Sequence, residues 1–411
     1  MSSEPFQAPR GTHDVLPADA NWWGLLERIE NTLHRYGWRP IQTPGFEDTR
    51  LFARTSGEAS DVVHKEMYTF DDRSGRSLTL RPEGTAPIAR AYVEHGLHRD
   101  PQPVKAYTVA PMYRYGRPGR GRYREHYQFS VEAIGSADPA IDAEVIEVYS
   151  EILRQVGVTQ WELHLNSIGD AACRPAYVER LNAWLDEHLD LLGEEALHKR
   201  ATSPLQVFDV KDPALRAALD GAPKIGDSLC DECRAHFAEV CTRLDRLSVP
   251  YVHDPTLVRG LDYYTRTTFE FMGPEANANS VICGGGRYDG LVEQIGGPPT
   301  PGIGFGAGIE RLLLALENEN VAIAPSPIDV FVVNDGAEPT AAHALLQELR
   351  RAGVAADMDF AGRSVKGQLT QGSRSGAATL VVLRAGEAVI RRAGSPDETV
   401  GLAEVAATLT P

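Results

Sequence analysis

Apolar residues along this chain switch repeatedly between helical and strand spacing, and the switches divide it into elements. Trp22, Leu25, Leu26, Ile29 and Leu33 recur at three- and four-residue intervals, which predicts a helix over residues 18–36 that Gly37 ends. Residues 38–43 read as a strand, and Pro44 behind it is tolerated only at an edge or a break. Runs at 67–71 and 77–81 flank the turn Asp72-Arg-Ser-Gly75 and predict a hairpin ending at Pro82-Glu-Gly-Thr85. Ile88, Ala89, Tyr92 and Val93 then start a helix behind Pro87. Apolar runs at 104–112 and 129–134 enclose a stretch broken by Pro118, Gly119 and Gly121, the pattern of two antiparallel strands joined by a long loop. Residues 142–156 have helical period and residues 161–165 that of a strand.

The composition shifts after this point. Residues 174–248 are charge-rich and helical in period throughout, which predicts a helical insertion at about 171–248. Strands resume after Tyr251: residues 258–271 end in alternating Thr and Phe, and Val281-Ile-Cys283 opens onto Gly284-Gly-Gly-Arg-Tyr-Asp-Gly290. Pro301-Gly-Ile-Gly-Phe-Gly-Ala-Gly308 runs into a helix carrying Ile309, Leu312, Leu313 and Leu316 at i, i+3, i+4 and i+7. Neither glycine run has the spacing of a nucleotide-binding fingerprint, so each taken alone reads equally well as a tight turn. Pro325-Ser-Pro327 reads as a stiff linker. Beyond it come strand 328–333, helix 339–351, strand 354–358, helix 364–371 and strand 379–383, a separate small α/β domain at 325–411 after a first domain at 1–324. Past Leu383 a short tail interrupted by Gly394-Ser-Pro396 reads as a trimmed end.

The chain has 411 residues and a formal net charge of −16, which opposes indiscriminate binding to nucleic acid or anionic membrane. The first twenty residues contain no apolar core of a leader, and no uncharged apolar run spans a bilayer, so a cytoplasmic protein without membrane association is expected. Five cysteines, Cys173, Cys230, Cys233, Cys241 and Cys283, are too few and scattered for a disulfide framework. Cys230-Asp-Glu-Cys233 is half of a zinc motif, with Cys241 and His236 nearby, but no second pair follows and the surroundings read as an amphipathic helix. Buried structural thiols, and no metal ligand, are the expectation.

Against this acidic background, Tyr113-Arg-Tyr-Gly-Arg-Pro-Gly-Arg-Gly-Arg-Tyr-Arg124 holds five arginines and no acid. Five like charges this close repel one another unless an anion draws them together, and the guanidinium fork grips phosphate bidentately. The loop therefore suits a nucleoside triphosphate, a nucleic-acid backbone, or both.

A proline-bearing strand end, an Arg-rich strand–loop–strand and a late Gly-rich strand running into Gly308-Ile-Glu-Arg311 occur in the order of the three motifs of the class II aminoacyl-tRNA synthetases. Arg10-Gly-Thr-His-Asp14, Leu80-Arg-Pro-Glu-Gly-Thr85, Arg259-Gly-Leu-Asp-Tyr-Tyr-Thr265 and Gly285-Gly-Arg-Tyr-Asp-Gly290 resemble the histidyl-tRNA synthetase family specifically. This resemblance covers nearly the whole chain. It implies an α+β catalytic domain with an antiparallel sheet flanked by helices, a helical insertion, a C-terminal α/β anticodon-binding domain and a homodimer formed through the Pro44 region. The implied activity is ATP-dependent, AMP-forming ligation of histidine to tRNA(His), with Mg²⁺ on the β- and γ-phosphates.

By resemblance the catalytic residues are Arg259 and Arg114, and ATP is held by Arg114, Arg122, Arg259 and Arg311. The histidine-binding set is Glu83, Gly84, Thr85, Gln128, Glu132, Tyr263 and Tyr264, with Glu83, Thr85 and Gln128 near the amino group and Glu132 and Tyr264 near the ring. Arg117 and Arg120, at the loop tip, would meet the acceptor end of tRNA. Two positions depart from the family. Gly116 stands where Arg-x-Glu usually supplies a carboxylate to adenine, and His126 where an aromatic ring usually stacks on it. The rival reading is a non-catalytic paralogue serving as a regulatory subunit of histidine biosynthesis. Such a protein is expected to lose the arginines and the anticodon domain, and this chain keeps both.

Overall fold

The computed structural model of the protein describes residues 5–56, 65–210, 212–274, 281–323 and 328–410. The chain divides into two units, Met1–Ile323 and Ala324–Pro411. The Pro325-Ser-Pro327 linker and Ser280 lie outside the described residues.

The first unit is built on an eight-stranded sheet in the order Arg39–Pro40, Val104–Tyr113, Glu125–Ile134, Gly302–Gly308, Val281–Arg287, Thr265–Met272, Glu162–Ser167 and Val252–His253. The outermost pairings are parallel and the five between them antiparallel. The strand expected at 38–43 is short, Arg39–Pro40, and lies at the sheet edge, where a proline is tolerated.

Alternation gives the central strands two unlike faces. Phe129, Val131, Ala133, Phe269, Phe271, Ile303 and Phe305 point into one core with the helices Ala20–Arg35, Pro139–Val156 and Ile309–Asn318. The helix Pro139–Val156 starts where Asp138 accepts a hydrogen bond from the Ala140 N–H at 2.8 Å and ends at Gly157, whose φ of 88° terminates it. The opposite face carries Gln128, Ser130, Glu132, Thr268 and Glu270 and is covered by the helix Thr85–Glu94; Phe46–Asp48, Ser77–Leu80 and Thr69–Asp71 form a separate three-stranded sheet.

Residues 174–247 fold mainly as the helices Arg174–Asp186, Glu194–Thr202, Pro213–Leu219 and Asp231–Leu247. Tyr177, Leu181, Leu185, Val207 and Leu215 form their own apolar cluster. The last helix belongs to two cores, since Cys233 packs in that cluster while Val240 and Leu244 pack in the main one. Its His236, considered above beside the cysteines, turns away from them: Nε2 lies 2.8 Å from Asp142 Oδ2. Thr267 Oγ1 and Arg287 also donate to Asp142, so this wholly buried carboxylate is paired and bonded, as burial of a charge demands.

The second unit has a five-stranded sheet in the order Ala356–Met358, Val330–Asn334, Thr379–Leu383, Glu387–Arg392 and Glu398–Gly401. The first three strands run parallel, and the last two add antiparallel. The supposed trimmed tail is thus a hairpin that completes the sheet, and the Gly-Ser-Pro interruption is its turn. Val389 and Ile390 of this hairpin are buried on opposite faces, which an alternating reading should have found.

Candidate functional site

The site face begins with missing side chains. Gly302, Gly304, Gly306 and Gly308 occupy every second position of one strand, facing away from the core that Ile303, Phe305 and Ala307 enter. A Cβ on Gly304 would lie 1.9 Å from Glu132 Oε2, one on Gly306 2.2 Å from Gln128 Nε2, and one on Gly302 2.3 Å from Tyr288 Cε2. On the adjoining strand a Cβ at Gly284 would strike Arg259 at 2.4 Å and one at Gly286 would meet Tyr264 at 2.9 Å. A tight turn, which either run taken alone allows, is therefore excluded for both, and 302–308 is the Gly-rich strand that the motif order implies. They are strand residues, none with positive φ, whose hydrogens make a floor on which polar side chains lie flat.

One group of side chains on this floor is buried and bonded internally. Glu83 accepts from the Thr85 and Ala86 N–H groups at 2.7 and 2.9 Å, satisfying the free donors at the start of the helix Thr85–Glu94. Thr85 Oγ1 donates to Glu132 Oε1 at 2.7 Å and the Tyr288 hydroxyl to Glu132 Oε2 at 2.5 Å. Burial pushes the Glu132 carboxyl up to about 8, against the pull of those two donors. Burial likewise raises Glu83. Tyr263 and Tyr264 pack beside this group with ring centroids 4.6 Å apart, and Tyr263 meets Tyr288 edge-on at 5.9 Å. Gly84 must be glycine for Ser130 to fit, because a Cβ would reach its Oγ at 2.3 Å, and Gln128 donates to that same hydroxyl at 2.9 Å.

Beside it opens a cavity of about 360 Å³. Arg114, Arg122, Arg259 and Arg311 all line it, together with Gln128 and His126. Four residues scattered over nearly two hundred positions thus converge in one pocket. Each guanidinium is held from behind: Arg114 Nε donates to Pro82 O at 2.8 Å, Arg311 Nη1 to Val281 O at 2.7 Å, Arg122 pairs with Glu66 at 2.7 Å, and Arg259 pairs with Glu270. Such clustering needs a strong anion in return. His126 is kept neutral, its pKa lowered to about 3 by burial and by the charges of Arg114 and Arg311.

Arg117 and Arg120 do not line this cavity. Both are exposed, with Arg120 paired to Glu317 at 3.0 Å. The loop bearing them is buttressed by the Arg10-Gly-Thr-His-Asp14 turn: Arg124 N–H donates to Gly11 O at 2.7 Å, and His13 packs on Tyr123 at 4.7 Å.

Sequence reasoning missed three residues of this site. Tyr288 lay inside a quoted motif, and the strong need of a buried phenol for a partner was the available signal. Glu66 lines the arginine cavity 3.6 Å from where a Gly116 Cβ would stand, and no local pattern pointed to it. Glu310 also lines the cavity, accepts from the Tyr127 N–H at 2.9 Å, and is pushed up to about 7 by burial.

A family model for histidyl-tRNA synthetase matches residues 11–312. The histidine–tRNA ligase of Moorella thermoacetica is 49% identical over 400 residues, 95% of this chain and 95% of that protein. The one from Desulforamulus reducens is 49% identical over 365 residues, 88% of this chain and 87% of that protein. Among solved structures, apo histidyl-tRNA synthetase of S. aureus matches with a TM-score of 0.79 at 37% identity, covering 98% of this chain and 100% of the other. On the extent of these matches, the chain belongs to the histidyl-tRNA synthetase family.

Proposed function

We propose that this protein is a histidine–tRNA ligase that first joins histidine to ATP and then passes the histidyl group to tRNA(His). The observation that carries the reading is the arginine-lined cavity opening beside the buried Glu83–Glu132–Tyr288 group. In the first step a histidine carboxylate oxygen attacks the α-phosphorus, the bond to the pyrophosphate oxygen breaks, and charge grows on the equatorial oxygens. Arg114 and Arg259 are the preorganised cations for that charge. Arg311 and Arg122 hold the rest of the nucleotide. In the second step the terminal ribose hydroxyl of the tRNA attacks the carbonyl of the mixed anhydride, and AMP leaves.

Glu132 and Tyr264 face the substrate ring, while Glu83, Thr85 and Gln128 serve its amino group. A pocket of buried polar groups rejects apolar isosteres because these would leave it unpaired. Adenine reading passes to Glu66, whose carboxylate stands beside Gly116, with neutral His126 as the flat neighbour. Mg²⁺ fits this cavity as well: Glu310 makes no ion pair among the described residues, and a carboxylate supplementing phosphate oxygens suits that ion. When bound, Mg²⁺ would neutralise the β- and γ-phosphates.

The regulatory-paralogue reading is less supported, because the relatives at 49% identity are named as ligases and the arginines are retained. The direct assay is histidine-dependent exchange of pyrophosphate into ATP, repeated with the other amino acids. Exchange with histidine alone is expected, and its absence in folded protein rejects the proposal. Residues 324–411 are assigned to the anticodon. A chain ending at Ile323 should then keep exchange while charging of dilute tRNA falls sharply, and loss of exchange in a folded truncation removes that assignment. Pairing into a homodimer and residence in the cytoplasm complete the proposal. Light scattering that finds an active monomer at micromolar concentration would exclude the dimer.

A further inference from the structure

Read from sequence, Cys230 and Cys233 lacked a second pair. The fold brings one from upstream. Asp170, Cys173, Cys230 and Cys233 each turn one ligand atom to a common point, and these four atoms all lie within 4.8 Å of one another. Tetrahedral bonds of about 2.3 Å to thiolate place ligand atoms roughly 3.8 Å apart, so only a small contraction separates this cluster from a coordination shell.

Ordinary core cysteines do not need such an arrangement. Cys173 and Cys230 stand at the N-caps of the helices Arg174–Asp186 and Asp231–Leu247, and Cys233 lies in the first turn of the second, so two helix starts converge on the cluster. Backbone donors already aim at the sulfurs: Cys230 N–H to Cys173 Sγ at 3.1 Å and Cys233 N–H to Cys230 Sγ at 3.5 Å. The carboxylate is oriented by the Ala172 and Cys173 N–H groups at 3.0 and 3.3 Å and by Arg266 at 3.3 Å. Gly169, at φ +61°, lets the chain turn this tightly, since a Cβ there would sit 2.8 Å from that of Cys173.

We propose that Asp170, Cys173, Cys230 and Cys233 form a structural zinc site that staples the helical insertion to the catalytic sheet. Three thiolates and one carboxylate select a borderline-soft ion of tetrahedral preference over Mg²⁺ or Ca²⁺. Binding displaces the three thiol protons to solvent. A helical segment of this size builds only a small core, and domains below about 70–80 residues commonly rely on such a staple. The anchorage point matters too. Arg266 N–H donates to Gly169 O at 2.7 Å, and Arg174 donates to Tyr264 O, so the site would brace the back of the segment that presents Arg259 and Tyr264.

The test is metal analysis of the full-length protein purified from zinc-supplemented cells without chelator. One equivalent of zinc per chain is expected. After exchange with Co²⁺, the visible and charge-transfer bands of a tetrahedral thiolate complex should appear. The double variant Cys173→Ser, Cys233→Ser should lose both, whereas Asp170→Cys should keep the metal and shift the cobalt bands. Chelation of the wild type should lower the melting temperature by several degrees. The proposal is overturned by wild-type protein free of divalent metal with all five thiols titratable, by a disulfide among these cysteines in mass spectra, or by full metal retention in the double variant.

Discussion

The two faces of the central strands are made from the same residues in alternation, and they obey opposite rules. Toward the helices, Phe129, Phe269, Phe271, Ile303 and Phe305 fill a core with large apolar side chains. Toward the pocket, at the alternate positions of each strand, the chain offers glycine or a buried polar group: Gln128, Glu132, Thr268, Gly284 and Gly304. The first face lowers the free energy of the fold by removing apolar surface from water. The second opposes folding, since buried carboxylates and strand glycines are both unfavourable, and it persists because the first face holds the strands in register.

Breaking the comparison from the pocket side should cost activity and little stability. The largest effect is expected for Arg259→Ala, because a fixed cation on the reacting phosphate is typically worth about a hundred- to thousandfold in turnover. Exchange kinetics at saturating histidine read this loss, with the melting temperature near wild type. Near-normal exchange would remove Arg259 from the chemistry.

A sharper test uses neighbours on one strand. Gly304→Ala drives a methyl into Glu132 and the Val131 carbonyl, and misplacing a site by about 1 Å costs on the order of a hundredfold in rate. Phe305→Leu, one position on, should leave exchange within about twofold and lower stability by roughly 1–2 kcal/mol in denaturant titration. Equal effects of the two on activity would erase the distinction between the faces.

The smallest effect is a change of pH profile. With its carboxyl raised to about 8, Glu132 is protonated at neutral pH, where free imidazole, titrating near about 6.5, is mostly neutral. The pair formed on binding then holds one proton in all. Below the imidazole value a proton must be expelled, and above about 8 one must be taken up. The histidine kcat/KM in the exchange assay should therefore fall on both sides. In Glu132→Gln it should drop about tenfold at neutral pH, and the alkaline limb should disappear. An unchanged alkaline limb would mean that another group titrates there.

Legibility in the sequence followed the same division. The core face was plain, because Phe alternating with polar residues at 268–271 and the helical stripe from Ile309 are periodic signals that any window detects. The pocket face was legible only as quoted motifs. Its glycines taken singly fit a turn as well as a strand, since glycine in isolation does not say whether it serves a bend or a close approach. Gathering Cys173 with Cys230, or Glu66 with Gly116, depends on pairings across fifty or more residues that no local window contains. The tail past Leu383 hides its structure for a simpler reason: a Gly-Ser-Pro break looks the same at a chain's trimmed end as in the hairpin turn it forms between Glu387–Arg392 and Glu398–Gly401.

A floor of strand glycines has no rotamers. Nothing on it can swing aside for a larger guest or freeze when the right one arrives, so ordering on binding is confined to the walls, Glu83, Gln128, Glu132, Tyr264 and Tyr288. Adaptation to a different amino acid would be similarly confined. Any substitution at Gly284, Gly286, Gly302, Gly304 or Gly306 adds atoms where there is no space, which leaves the walls as the route by which this pocket could acquire a new substrate.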